Sequence, residues 1–367
     1  MTAALFAPLQ LRDLAIDNRI VVSPMCQYSA REGHATDWHI MHLGQMAQSG
    51  AGLVLLEATA VTPEGRISPD CLGLWSDAHA ESLARVLRSV RKWSPGAKFG
   101  VQLAHAGRKG STLAPWKGHG QVSVAQGGWR NVAPSPLPFR ASDVAPSELS
   151  ESDIADLMQG FVEAAVRADR IGLEAIELHA AHGYLMHQFL SPLSNRRSDA
   201  WGGSLQNRMR LMLEVFDAVR AVWPSAKPLG VRVSATDWVE GGWDLPQTIE
   251  LAAALQKRGC DWLDVSTGGL DPRQKIEVGP GYQVPFAQAV KQATGMTTMS
   301  VGMITDPQQA NDIIESGRAD MVALARAFLV NPRWPWFAAA VLGEQVAVPP
   351  QYERGVDAAI VRRPARD

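Results

Sequence analysis

The sequence predicts a single-domain α/β protein folded as a closed (β/α)8 TIM barrel. Three observations carry this reading. Eight short, nearly continuous apolar segments recur along the chain, and longer amphipathic segments separate them. Such strands belong to a parallel sheet covered by helices. A doubly wound open sheet is the rival, but it places G-x-G-x-x-G after its first strand, where this chain reads SPMCQYS.

In order, the strands are RIVVSPM (19–25), GLVLLEATA (52–60), FGVQLAHAG (99–107) and AIELHAAHG (175–183). LGVRVSA (229–235), WLDVSTGG (262–269), TTMSVG (297–302) and DMVALARA (320–327) complete the eight. Between them, DAHAESLARVLRSVRKW repeats its apolar positions at three and four. DIADLMQGFVEAAVRADRIG does the same, after a serine/aspartate start and before a stop at Gly172. At 367 residues the chain exceeds the usual barrel length of about 250. The Pro/Gly/Trp-rich stretch at about 108–147 is read as a loop insertion after the third strand, because it lacks the periodicity of a second domain. Residues 1–348 form the barrel, and 349–367 form a C-terminal arm.

Composition is that of an ordinary globular protein, 46% apolar and 20% charged. A net charge of −2 points to no nucleic-acid partner. No apolar run approaches the roughly 18 residues of a spanning helix, and the N-terminus lacks a signal-peptide pattern, so no membrane role and a cytoplasmic location are expected. Cys26, Cys71 and Cys260 lie far apart, which argues against a disulfide framework or a cysteine-held metal.

A barrel carries its site at the C-terminal ends of its strands. There the sequence brings Cys26, Gln102, His105, His179, His182, Arg232, Gly302 and Arg326. Gly302 and Arg326 suit a phosphate corner; an ordinary turn glycine and a surface arginine are the alternative. Arg232 lies inside an apolar strand and needs an anionic or electron-rich partner, either a carboxylate or the edge of a reduced cofactor. His179 and His182 have metal-pair spacing only on a helix; after a strand they are read as two N–H donors aimed at one oxygen. Tyr184, with an unperturbed pKa of about 10, can protonate a carbanion-like centre beside it.

SPMCQYSA, GLVLLEATAVTPEGRI, QLAHAGRK, HAAHGYLMHQFLSPLSNRRSDAWGGSLQNRMR and the closing QYERG resemble the old yellow enzyme family. The similarity is to its thermophilic-like branch of NADPH dehydrogenases and xenobiotic reductases, and it covers almost the whole chain. It implies an ene-reductase with non-covalent FMN, an NADPH or NADH donor and small activated alkenes as substrates. By resemblance, Ser23, Pro24, Met25, Cys26, Ala60, Gln102, Arg232 and Gln283 line the flavin, and Gly302, Ala325 and Arg326 hold its phosphate. His179 and His182 grip the substrate oxygen, Tyr184 donates the proton, and Tyr28 and Lys109 form the pocket wall. Arg354 matches an arginine that enters a neighbouring subunit's site, which implies a homodimer or homotetramer. The rival readings are a metal-dependent hydrolase using the two histidines, a Schiff-base aldolase using Lys109, other flavin barrels acting on dienoyl-CoA or tRNA, and a non-enzymatic binding protein.

Overall fold

In the computed structural model, residues 2–362 are described. Eight parallel strands close into a barrel: β1 Ile20–Val22, β2 Leu53–Ala60, β3 Phe99–Ala104, β4 Ala175–Ala180, β5 Leu229–Ser234, β6 Trp262–Ser266, β7 Thr298–Ser300 and β8 Met321–Leu324. Closure is made by β8 on β1, with Val322 opposite Ile20 and Leu324 opposite Val22. The covering helices are α1 Asp37–Ala47, α2 Asp77–Arg91, α3 Glu151–Arg170, α4 Leu205–Val222, α5 Leu245–Gln256, α6 Val284–Thr294, α7 Pro307–Glu315 and α8 Trp334–Leu342.

Local chemistry sets the helix starts. Ser150 Oγ accepts from the Asp153 N–H while the Asp153 carboxylate accepts from the Ser150 N–H, a reciprocal cap that starts α3 at Glu151. Asp244 and Asp306 cap α5 and α7 one way only, their carboxylates accepting from the Gln247 and Gln309 N–H groups, each with a proline in the first turn. The face predicted for α2 is the one buried, through Leu83, Val86, Leu87 and Val90. Each such side chain contributes roughly 1.5–3 kcal/mol of burial.

Strand alternation divides the barrel into two packing regions. Outward residues such as Val54, Val101, Leu178 and Val231 meet the helices. Inward ones at the N-terminal end, including Val21, Leu53, Leu55, Trp262, Met299 and Met321, form a separate apolar plug. An antiparallel hairpin, Leu9–Leu11 with Leu14–Ile16, closes that end by adding Leu11, Leu14 and Ile16. The sequence reading did not anticipate it, because three-residue strands are too short to show a period.

The predicted strands run past their observed ends. RIVVSPM leaves the sheet after Val22, where Pro24 has no N–H to offer a ladder. FGVQLAHAG stops at Ala104 and AIELHAAHG at Ala180, so His105 and His182 lie on loops. At the base of the insertion, Val132–Ala133 pairs with Ser147–Glu148. The arm folds back on its own barrel as far as Val361, which pairs with Val346; Ile360 and Val361 are buried, and 363–367 lie outside the described residues. No helix among the described residues is long and apolar enough to cross a membrane.

Candidate active site

At the C-terminal mouth the inward positions become polar. Gln102 on β3, Glu177 and His179 on β4, Arg232 and Ser234 on β5, and Asp264 and Ser266 on β6 are all buried. Their strand neighbours Leu103, Leu178, Val231 and Val265 pack outward.

His179 is the last inward residue of β4. Its Nδ1 accepts from the Ala181 N–H at 3.3 Å, so the ring carries its proton on Nε2, which is left free to donate. His182 follows in a left-handed turn at φ 58. Its ring contacts Ser266 Oγ through Nε2 at 2.8 Å. For His182 to present an N–H as well, Ser266 must donate to Nε2 and leave the proton on Nδ1. The two imidazoles stand edge to face with centroids 5.2 Å apart. Burial, and then the charge of Arg232, holds both well below the usual histidine range, so both are neutral near pH 7.

The turn that carries them is braced from three sides. Gly183, at φ 76, is obligatory, because a Cβ there would lie 2.2 Å from the Gly269 carbonyl. Its N–H donates to His187 Nδ1 at 2.9 Å, and His187 Nε2 meets Asp237 Oδ1 at 2.8 Å. Lys109 Nζ donates to the carbonyls of both His182 and Gly269, each at 2.7 Å. Lys109 therefore ties the β4 and β6 loops together, a task beyond the pocket wall implied by resemblance. Burial, aided by Arg108 and Arg140, pulls its ammonium down to about 7.

The Tyr184 ring lies 5.0 Å from the His179 ring and 5.2 Å from Lys109 Nζ. Burial pushes its phenol well above the ordinary value, so it stays protonated at working pH. Cys26 is likewise pushed up by burial and is a thiol. Tyr28, at φ 47, packs edge-on against Trp116 of the insertion at 5.6 Å.

Arg232 Nη1 donates to Ser23 Oγ at 3.1 Å, which joins β5 to the segment after β1. Gln283 accepts from Thr267 and donates to the Val301 carbonyl, beside Gly302 at φ 124. Arg326 is exposed and has no ion pair among the described residues, and Ala325 precedes it at the end of β8. Ala60 already uses its N–H on Leu72 and its C=O on Leu74. Its methyl group is therefore what it offers the site.

Two sequence candidates are engaged outside this cluster of rings. His105 bonds the Gly107 N–H and packs on Gly65. Arg354 is exposed on a short 3-10 turn of the arm. That turn begins at Pro350, which with Pro349 before it lines a cavity shared with Asn18, Gly52 and Lys98 at the N-terminal ends of the strands. Arg354 thus sits towards the barrel end opposite its own histidines. Glu177, Ser234, Asp264, Ser266, His187 and Asp237 were not singled out in the sequence; period-two counting from His179 and Arg232 would have flagged Glu177 and Ser234, while Asp264 and Ser266 lie on a strand that offered no candidate to count from.

These groups suit a large, flat, polar ring better than any reactant of their own. Neutral donors, a phenol and a buried guanidinium bring position and charge, and the redox equivalents come from a cofactor. The molecule is a flavin-dependent barrel oxidoreductase. Comparison with known proteins agrees. The NADH:flavin oxidoreductase / NADH oxidase family matches residues 4–343. An NADPH dehydrogenase of Geobacillus thermodenitrificans is 43% identical over 357 residues, 97% of this chain and 99% of that one. The NADPH dehydrogenase of Bacillus subtilis is 42% identical and covers 97% of this chain and all 100% of its own. Morphinone reductase in complex with tetrahydroNAD superposes with a TM-score of 0.76 at 28% identity, over 99% of this chain and 98% of that one. The chain belongs to the NADH:flavin oxidoreductase / NADH oxidase family, the old yellow enzyme group that its motifs resemble. It is an NAD(P)H-dependent oxidoreductase with FMN as cofactor.

The residues present fit FMN. Arg232 is buried, with its Nε turned to the Asp264 carboxylate at 3.2 Å and one hydrogen bond, from Nη1 to Ser23 Oγ, among the described residues. A Cβ at Gly302 would press to 3.0 Å from Gln283 Nε2, so only glycine lets a backbone approach there. Ser23, Gln102, Arg232 and Gln283 would meet the polar ring edge, and Gly302, Ala325 and Arg326 the phosphate.

Proposed function

We propose that this flavoenzyme is an ene-reductase for α,β-unsaturated carbonyl or nitro compounds. Once bound, FMN would supply the redox chemistry, relaying hydride from NADPH or NADH to the β-carbon of the alkene. His179 Nε2 and the second ring nitrogen of His182 donate to the substrate oxygen, which lowers the energy of the enolate-like transition state. Tyr184 gives its proton to the α-carbon from the opposite face. Lys109 and the His187–Asp237 pair keep the donor turn rigid.

The observation that carries this reading is the closeness of a neutral phenol to two neutral imidazoles, with the Tyr184 and His179 rings 5.0 Å apart at the mouth. The test is spectroscopic. Anaerobic NADPH is expected to bleach the flavin absorbance of the purified holoenzyme, and cyclohexenone to restore it. Bleaching that neither cyclohexenone nor a nitroalkene reverses would reject the ene-reductase reading.

The placement of Arg354 supports a site completed across subunits, in a cytoplasmic homodimer or homotetramer. Arg354→Ala is expected to raise KM about tenfold, the loss of roughly 1.4 kcal/mol, with the fold unchanged. A fully active monomer in solution would refute the shared site.

A further inference from the structure

The barrel interior holds two carboxyls to which the proposed chemistry gives no task. Asp264 stands directly opposite Arg232 in the β5–β6 register. Its Oδ2 lies 3.2 Å from Arg232 Nε. Neither Asp264 oxygen accepts a hydrogen bond among the described residues, and Arg232 Nε donates none. The contact is therefore Coulombic, not directional. Glu177 is held differently: Gln102 Nε2 donates to its Oε1 at 2.8 Å and Trp262 Nε1 to its Oε2 at 3.2 Å. Both carboxyls are fully enclosed. Burial and the neighbouring Asp264 push Glu177 up to about 8, while Arg232 opposes the rise. The region thus carries one fixed positive charge and two acids that compete for it.

A guanidinium buried alone costs several kcal/mol, so Asp264 is what lets Arg232 stand charged inside an apolar strand. The same carboxylate cancels part of the field that Arg232 projects towards the mouth. Resting on the placement of Arg232 beside the flavin ring, we propose that Asp264, with Glu177 behind it, is a positioning residue that sets the flavin midpoint potential. It does so by fixing the guanidinium plane and by limiting how much positive charge reaches the ring. Reduction adds electron density to that ring, so a less compensated guanidinium favours the reduced form.

The experiment measures midpoint potential and FMN dissociation constant on the loaded enzyme, neither of which depends on turnover. Asp264→Asn is expected to shift the potential positive, and Glu177→Gln, which keeps an acceptor for Gln102, to shift it in the same direction only above about pH 8, where Glu177 is ionised. Arg232→Met should shift it negative. If both acid variants hold the wild-type potential while Arg232→Met lowers it, the inference falls and the placement of Arg232 stands. If Arg232→Met leaves the potential unmoved, the placement falls and the inference with it. Should Asp264→Asn fail to fold or to take up FMN, Glu177→Gln measured above about pH 8 decides alone, and an unshifted potential there overturns the proposal.

Discussion

Tyr184→Phe is expected to slow reoxidation of the reduced enzyme by an enone about 10²–10⁴-fold, the usual worth of a positioned general acid. Flavin reduction by NADPH should stay near the wild-type rate. The split follows from geometry and charge. Phenylalanine keeps the ring that packs against His179 and removes only the hydroxyl. Because burial holds the phenol far above its ordinary pKa, Tyr184 yields its proton only to a strong base, such as the carbon left by hydride addition. Transfer from nicotinamide to flavin creates no such carbon. Stopped-flow measurement of the two half-reactions separates the outcomes, and an equal loss in both would reject the donor role.

Changing His179 and His182 together to Ala is expected to weaken binding of phenol-type ligands by about 2 kcal/mol, roughly thirtyfold, for two lost neutral hydrogen bonds. Turnover should fall further, by about 10²–10³, because donors aimed at developing charge matter more in the transition state. Neither imidazole gains a proton near neutral pH, since burial and Arg232 both oppose it. Wild-type ligand affinity should therefore show no histidine titration around pH 7. Titration of the double variant with a phenol, followed by the flavin charge-transfer band, checks the first effect. Full retained affinity would make the pair structural.

Much of this site could be read from the chain because barrels put function where strands end. His179, His182 and Tyr184 follow an apolar run, and the structure places their rings within 5.2 Å of one another in successive pairs. The inner acids were harder to see. Glu177 and Asp264 sit within runs that read as buried strand, and their relation to Gln102 and Arg232 exists only through cross-strand register. Lys109 shows the same limit, since its two carbonyl partners lie 73 and 160 residues further along the chain.

What the sequence determined alone was periodic or local: eight strands, the helices between them, the serine/aspartate start at Ser150, and a motif-bearing loop after the fourth strand. Those features depend on residues a few positions apart, whose spacing the chain itself fixes. The tertiary structure alone decided which tautomer His179 adopts, how Arg232 is compensated, and towards which end of the barrel Arg354 lies. Each of these turns on electrostatic or hydrogen-bond partners brought together by closure of the barrel, and no pattern along one strand encodes the distance to another.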